Sequence, residues 1–224
     1  ADQYFDEQNL MDFRLVSTFG IDENDITAIQ NAESVEQVMP GYSLDVLLEA
    51  DDQGYVARLH SISTQGQEDA LNVPRVIQGR LPEKSGECVI EEGALISNGL
   101  ALGSDIVFSS GDDTPLSDSL AQDTYRVVGI VESPYYISFE RGTSTIGSGQ
   151  VDTFILIPEQ DFKLEYYTDL YVTVKGAKAL NSFGDEYDQL MGDTQDELEE
   201  IGDVRAQERY DEIVSEAQQE IDDA

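Results

Sequence analysis

The chain has 224 residues, with 47 acidic against 12 basic side chains and a formal net charge of −35. A charge of that sign and size excludes nucleic acid and an anionic membrane surface as partners, because like charges repel over a Debye length of roughly 8 Å in physiological salt. It permits a cationic partner, metal ions or plain solubility. Apolar residues make up 40% of the chain, enough for a real core in one large or two small domains. The single cysteine, Cys88, excludes an intrachain disulfide and, in an alternating run, reads as a small core residue. No signal peptide is visible, and no apolar run reaches the roughly 18 residues of a membrane helix.

In chain order, Met11 to Phe19 alternates apolar and polar and reads as a strand closed by Gly20. Asp22 or Asn24 then caps a helix running to about Glu33, with Ile26 and Ile29 inward. Val35 to Val38 leads back to the sheet. Tyr42–Glu49 and Tyr55–Ser63 form a hairpin across the turn Asp51-Asp52-Gln53-Gly54. Two adjacent aspartates in a turn lack the alternating oxygen ligands of a calcium loop. His60, the only histidine, has no nearby Cys or second His and is a poor metal candidate.

Residues 65–72 read as a loop. Pro74 to Gly86, with Arg80 and Pro82 between glycines, reads as a hinge into a second lobe. Glu87–Ile90 is a strand, Gly93–Gly99 a short helix with a glycine C-cap, and Asp105–Ser109 a strand. Residues 110–123 are a polar loop. Two β-branched runs follow, Val127–Val131 and Val151–Ile157.

The segment between those runs is far longer than a hairpin loop. It carries Ser133, Pro134, Tyr135, Tyr136, Phe139, Glu140 and Arg141, then glycines at 142, 147 and 149. Long loops with aromatics are either functional or packed on themselves. Tyr and Arg are enriched in interface hot spots, so Ser133–Arg141 is the candidate contact loop. Neighbouring side chains of an extended segment point to opposite sides, which predicts that one tyrosine anchors the loop and the other faces outward with Phe139. After a helical turn at Glu159–Phe162 and a strand at Leu170–Val174, the pattern becomes helical from Ala179. This tail holds 16 acidic and 2 basic residues, a net of −14. Gly184, Gly192 and Gly202 each weaken its helix by about 1 kcal/mol relative to Ala.

Four stretches, GRLPEKSGECVIEE (79–92), NGLALGSDIVF (98–108), YRVVGIVESPYYISFERGTSTIGSGQ (125–150) and YYTDLYVTVKGA (166–177), occur in that order. Together they resemble the extracytoplasmic, MacB-like core domain of FtsX-like ABC transporter permeases, with the SPYYIS-ERG-S loop similar to a Gram-positive subgroup. The resemblance implies an α+β fold of two lobes. A mixed sheet with helices is built from both chain ends, residues 1–76 and 166–224, and a mainly β lobe, residues 77–165, is inserted between them. It also implies a location on the outer side of the cell membrane, with flanking membrane helices outside this sequence. The partners implied are those helices, a cytoplasmic ATPase subunit, and an unidentified substrate or protein outside. The acidic tail would form a stalk or coiled coil returning to the membrane.

No catalytic constellation is legible. Gly147-Ser148-Gly149 lacks a third glycine, there is no phosphate-binding loop, and His60 sits in no nucleophile-elbow context. No catalytic residue, metal ligand or cofactor is therefore assigned, and the chain is expected not to be an enzyme. ATP hydrolysis would belong to the separate subunit that the resemblance implies. The competing expectation is a secreted acidic binding or hydrolytic protein that shares the fold.

Overall fold

The computed structural model describes residues 9–132 and 142–223. Its strands are β1 (Phe13–Ile21), β2 (Val35–Gly41), β3 (Ser43–Ala50), β4 (Gln53–Ile62), β5 (Arg75–Gly79), β6 (Glu87–Glu91), β7 (Asp105–Ser109), β8 (Thr124–Glu132), β9 (Thr153–Pro158) and β10 (Tyr167–Val174). The α-helices are α1 (Glu23–Gln30), α2 (Ala94–Ser97) and α3 (Asp185–Asp222). The chain divides into two compact units.

The first unit spans Gly41–Tyr167. Its seven strands run in the order β5-β8-β6-β9-β4-β3-β7, and β7 also pairs with β8. Six strands thus close into a ring, with β5 flanking β8. The ring is mixed: β4 with β9 and β6 with β8 are parallel, and the other pairs are antiparallel. The hairpin β3–β4 turns on Asp51 and Asp52, with φ of 51° and 59°, so that Ala50 faces Gln53. Two left-handed residues in a two-residue loop match the twist of the strands on either side.

Alternate residues of every barrel strand enter one core. Val46 and Leu48, Ala57 and Leu59, Cys88 and Ile90, Ile106 and Phe108, and Ile155 and Ile157 all belong to it. Leu95 and Leu120 fill it from the connections, and Phe108 and Tyr125 meet at 5.3 Å between ring centroids. Cys88 is fully buried, as its alternating run predicts. Opposite faces of β6, β8 and β9 form a smaller cluster of Val89, Val131, Phe154 and Leu156, joined by Ile62.

The second unit comprises Met11–Pro40 and the chain from Thr168 onward. Its sheet has the order β1-β10-β2, so β10 lies beside β1. Buried Asp169 of β10 receives Arg14 of β1 at 2.5 Å. Asp22 is the N-cap of α1, and it forms a capping box with Asp25.

The expected lobe boundary between residues 76 and 77 is corrected to one between Pro40 and Gly41. The reason is the hairpin β3–β4. β4 pairs with β9 from Ala57↔Thr153 to Ile62↔Pro158, β3 touches β7, and the inward residues of both enter the barrel core. The turn at Arg80 lies inside this unit rather than at its border, and the second crossing falls after Tyr167 instead of before Tyr166. A polypeptide of residues 41–167 is accordingly expected to unfold in urea as one cooperative transition with native-like near-ultraviolet circular dichroism. Residues 77–165, which lack two ring strands, are expected to show neither. A cooperative transition in the shorter piece alone would overturn the boundary.

Candidate interaction site

Three of the sequence stretches singled out above meet one another around β8. Gly79 pairs with Gly129 in the β5–β8 ladder. A Cβ on Gly79 would lie 2.2 Å from the Val128 carbonyl oxygen, and one on Gly129 would lie 2.2 Å from that of Arg80. Gly79 also has φ of +77°, a conformation that L side chains rarely adopt. The backbone contact is sealed by the Arg80 N–H, which donates to Val128 O at 3.0 Å. From the other side, the Gly103 N–H donates to Val127 O at 2.8 Å, and the Val127 N–H donates to Ser104 O at 2.9 Å.

The same turn is organised by one carboxylate. Glu87 accepts from Arg80 Nη1 at 2.8 Å, Arg80 Nη2 at 2.7 Å and the Glu83 N–H at 2.9 Å. The Arg80 hydrogen bonds outweigh burial and hold the Glu87 carboxyl down at about 2. Next to it, buried Asp161 accepts from the Ser85 hydroxyl and, at 3.2 Å, from the Gly86 N–H. Burial and the Asp161 charge push the Tyr125 hydroxyl well above its ordinary range. These motif residues build a scaffold.

What the scaffold presents is the long loop after β8. Its outgoing end, Glu132, is paired by Arg75 across the β5–β8 ladder. Its returning arm, Gly142–Gln150, is folded on itself. Thr143 bridges to Gln150, the Val151 N–H donates to Gly142 O at 3.0 Å, and the Ser144 N–H donates to Gly149 O at 3.0 Å. Ile146, 9% exposed, is inserted against Gly111, where a Cβ would lie 2.4 Å from it. Arg58 Nη2 donates to Thr143 O at 2.9 Å while its Nε and Nη2 hold Asp45 at 2.7 and 2.9 Å. Burial alone would raise the Asp45 carboxyl. Hydrogen bonds from Arg58 and Ser144, with the Arg58 and His60 charges, hold it below the usual carboxylate range. Asp152 then docks on β4, accepting the Val56 N–H at 2.8 Å and donating its own N–H to Val56 O at 2.9 Å.

Beside the returning arm is an open cleft of about 550 Å³. Leu47, Val56 and Val107 supply its apolar wall, and Glu49, Ser148 and Asp152 its polar rim. Val107 is 60% exposed there. The predicted contact residues Ser133, Pro134, Tyr135, Tyr136, Phe139, Glu140 and Arg141 lie outside the described residues, as does the predicted division of labour between the two tyrosines. His60 is buried, on the face of β4 turned away from the barrel core. Among the described residues no three His, Cys, Asp or Glu side chains converge as a metal site. The sequence reading missed Arg58 as the anchor of the loop. The signal was available in the hairpin turn, because Ala50 opposite Gln53 places Asp45 opposite Arg58.

Fold and scaffold together define an α+β domain whose shared motifs maintain a barrel and offer a loop. The chain belongs to the MacB-like periplasmic core domain family, whose model matches residues 2–190. Among solved structures it is similar to the extracellular domain of the noncanonic ABC-type transporter YknZ from Gram-positive bacteria. Identity is 13%, with 80% of this chain and 86% of that chain covered and a TM-score of 0.43. It is also similar to the periplasmic region of MacB from Actinobacillus actinomycetemcomitans, at 15% identity over 75% of this chain and 69% of that chain, with a TM-score of 0.42. No curated protein matches the sequence. No helix among the described residues is long and apolar enough to cross a membrane.

The scaffold makes two quantitative expectations. Gly129→Ala should destabilise the domain by about 3 kcal/mol or more, because backbone rather than a flexible side chain must yield. Gly54→Ala, with nothing within 4 Å, should stay within about 0.5 kcal/mol. Equal urea midpoints for the two variants would contradict the backbone contact. For Glu87, the folded value of about 2 lies below the ordinary 4.5. Its contribution is therefore complete above about pH 4.5 and is lost as pH falls toward 2. Glu87→Gln should cost about 2 kcal/mol at pH 7, discounted because Arg80 is half exposed, and the gap to wild type should close as denaturation is repeated toward pH 2.

Proposed function

We propose that the chain is the extracytoplasmic domain of an ATP-driven permease of the FtsX/MacB type. In this reading it has no catalytic centre. It relays conformational change between its membrane helices and the outside, and it contacts a substrate or partner protein there through the loop at 133–150. ATP is hydrolysed by a separate cytoplasmic subunit. The observation that carries the reading is family membership across residues 2–190. The loop assignment is supported by how its roots are held. Arg75 grips the outgoing end and Arg58, Ile146 and Asp152 fix the returning arm, which lowers the ordering cost that a contact loop meets on binding.

The test is made in the full permease complex. Tyr135→Ala, Tyr136→Ala and Phe139→Ala are each assayed for thermal unfolding and for transport-linked ATP hydrolysis. At least one tyrosine variant is expected to lose most of its coupled activity while its stability stays within about 0.5 kcal/mol of wild type. If each variant loses activity only in proportion to its loss of stability, the loop is a structural cover and the contact role fails.

A further inference from the structure

The 38 residues of α3 form one helix, but its fastening to the second unit changes in kind along its length. The proximal part is packed and capped. Thr194 and Leu198 are buried. Glu197 accepts the backbone N–H groups of Glu33 and Ser34 at 2.7 and 3.1 Å, together with the Ser34 hydroxyl. The Tyr187 hydroxyl reaches Asp12 at 3.3 Å. Beyond Leu198 no described residue of the helix is buried, and only Ile201, Arg205 and Arg209 are even half-covered. They stand four residues apart, on one line of the helix surface.

Arg205 and Arg209 are the only two basic residues between Ala179 and the C-terminus; each pairs with a glutamate three residues on, Glu208 and Glu212, and both reach the same target on α1. Arg205 Nε meets Asp25 at 2.7 Å and its Nη2 lies 3.5 Å from Asp22; Arg209 Nη1 lies 3.3 Å from Asp22. All four side chains are 12–16% exposed. Asp22 and Asp25 are also the capping box of α1, each accepting the other's N–H at 2.9 Å. Apolar packing does not back this contact up. A cleft of about 500 Å³ opens beside the arginines, walled by Phe19, Ile29 and Leu170 and, on α3, by the small residues Gly202 and Ala206.

We propose that Arg205 and Arg209 are a releasable latch that holds the distal half of α3 on the N-terminus of α1, closed in this structure. Charge makes the device two-state. The first turn of α1 carries Glu23 and Asp25 after the Asp22 cap, and α3 presents Glu199, Glu200, Asp203, Glu208, Asp211 and Glu212 over the same stretch. With the two guanidinium groups in place the helices attract; without them the same surfaces repel. Release leaves the proximal contacts of Thr194, Leu198 and Glu197 intact, so the helix swings from that point and opens the cleft. The latch is a property of this chain and stands whether or not the domain serves a transporter.

The test uses the chain as given, with spin labels on cysteine pairs. Cys88 is fully buried, with its thiol pushed far above the ordinary range by burial, and need not be replaced. Gln30→Cys is paired with Ser215→Cys to report the distal half, and with Gln195→Cys to report the proximal half. Distances are read by double electron–electron resonance. In the wild type both pairs should give one narrow distance. In the R205Q/R209Q variant the 30–215 distribution should broaden and lengthen by 10 Å or so, at about 1.5 Å of rise per helical residue swung outward, with the 30–195 distance unchanged. R205K/R209K should keep most of the closed population. An unchanged 30–215 distance in R205Q/R209Q would overturn the latch. So would a change of both pairs together, because α3 would then dock as one piece.

Discussion

The contact on which the frame around β8 depends is the approach of two backbones at Gly79 and Gly129. Neither position has room for a methyl group, because the atom that a Cβ would meet is in each case a carbonyl oxygen of the opposing strand. That approach lets the Arg80 N–H reach Val128 and puts the Arg80 guanidinium over Glu87. β8 serves as a common rail: β6 lies along one edge, and β7 and then β5 share the other. β7 closes the ring along the part of that edge that β5 leaves free. Glycine at the crossing point is thus a steric requirement of the topology, and the carboxylate cluster at Glu87 and Asp161 holds the turn that follows it.

Much of this fold is legible in the residues because it is local. The Asp51–Asp52 turn fixes the register of the whole hairpin, and with it the pairing of Asp45 with Arg58. Alternation marks the inward side of β3, β4, β6 and β9, and the aspartate cap starts α1 where it should. The fold escapes sequence reading where pairing is distant. The parallel ladders β4–β9 and β6–β8 join segments with nothing in common but β-branched residues. The ring closes through β7 over two or three residues on each side, too few to leave a pattern. Nothing local in the sequence therefore marks the hairpin as part of the barrel, and the lobes that the resemblance implies leave it outside. The tail differs in another way: three glycines predict a weakened helix, yet α3 runs unbroken through Gly192 and Gly202. Contacts at Glu197, Leu198, Arg205 and Arg209 on either side of Gly202 outweigh an intrinsic preference of that size.

The candidate site was legible as a loop and not as a geometry. Its length, aromatics and glycines mark it on sight, whereas the contacts that fasten it, Arg58 to Thr143, Asp152 to Val56 and the Ile146–Gly111 insertion, join segments far apart in the chain. Three of the stretches that carry the family resemblance meet around β8, the strand that leads into the loop. GRLPEKSGE, NGLALG and VVGI bind one another through main-chain hydrogen bonds and glycine contacts. Sequence features that carry a resemblance can therefore report the frame that positions a site rather than the site itself.

The two ends of the barrel unit meet at a stack of rings. Tyr42 and Tyr167 lie with centroids 4.8 Å apart, and Tyr42 also stacks on Phe162 at 5.2 Å. Tyr42 is further tied to β4, accepting the Ser61 N–H at 3.0 Å and giving its own N–H to the Ser61 hydroxyl at 2.9 Å. The clasp sets where the unit opens and closes: with Tyr42 and Tyr167 held side by side, the strands between them leave and return at one place.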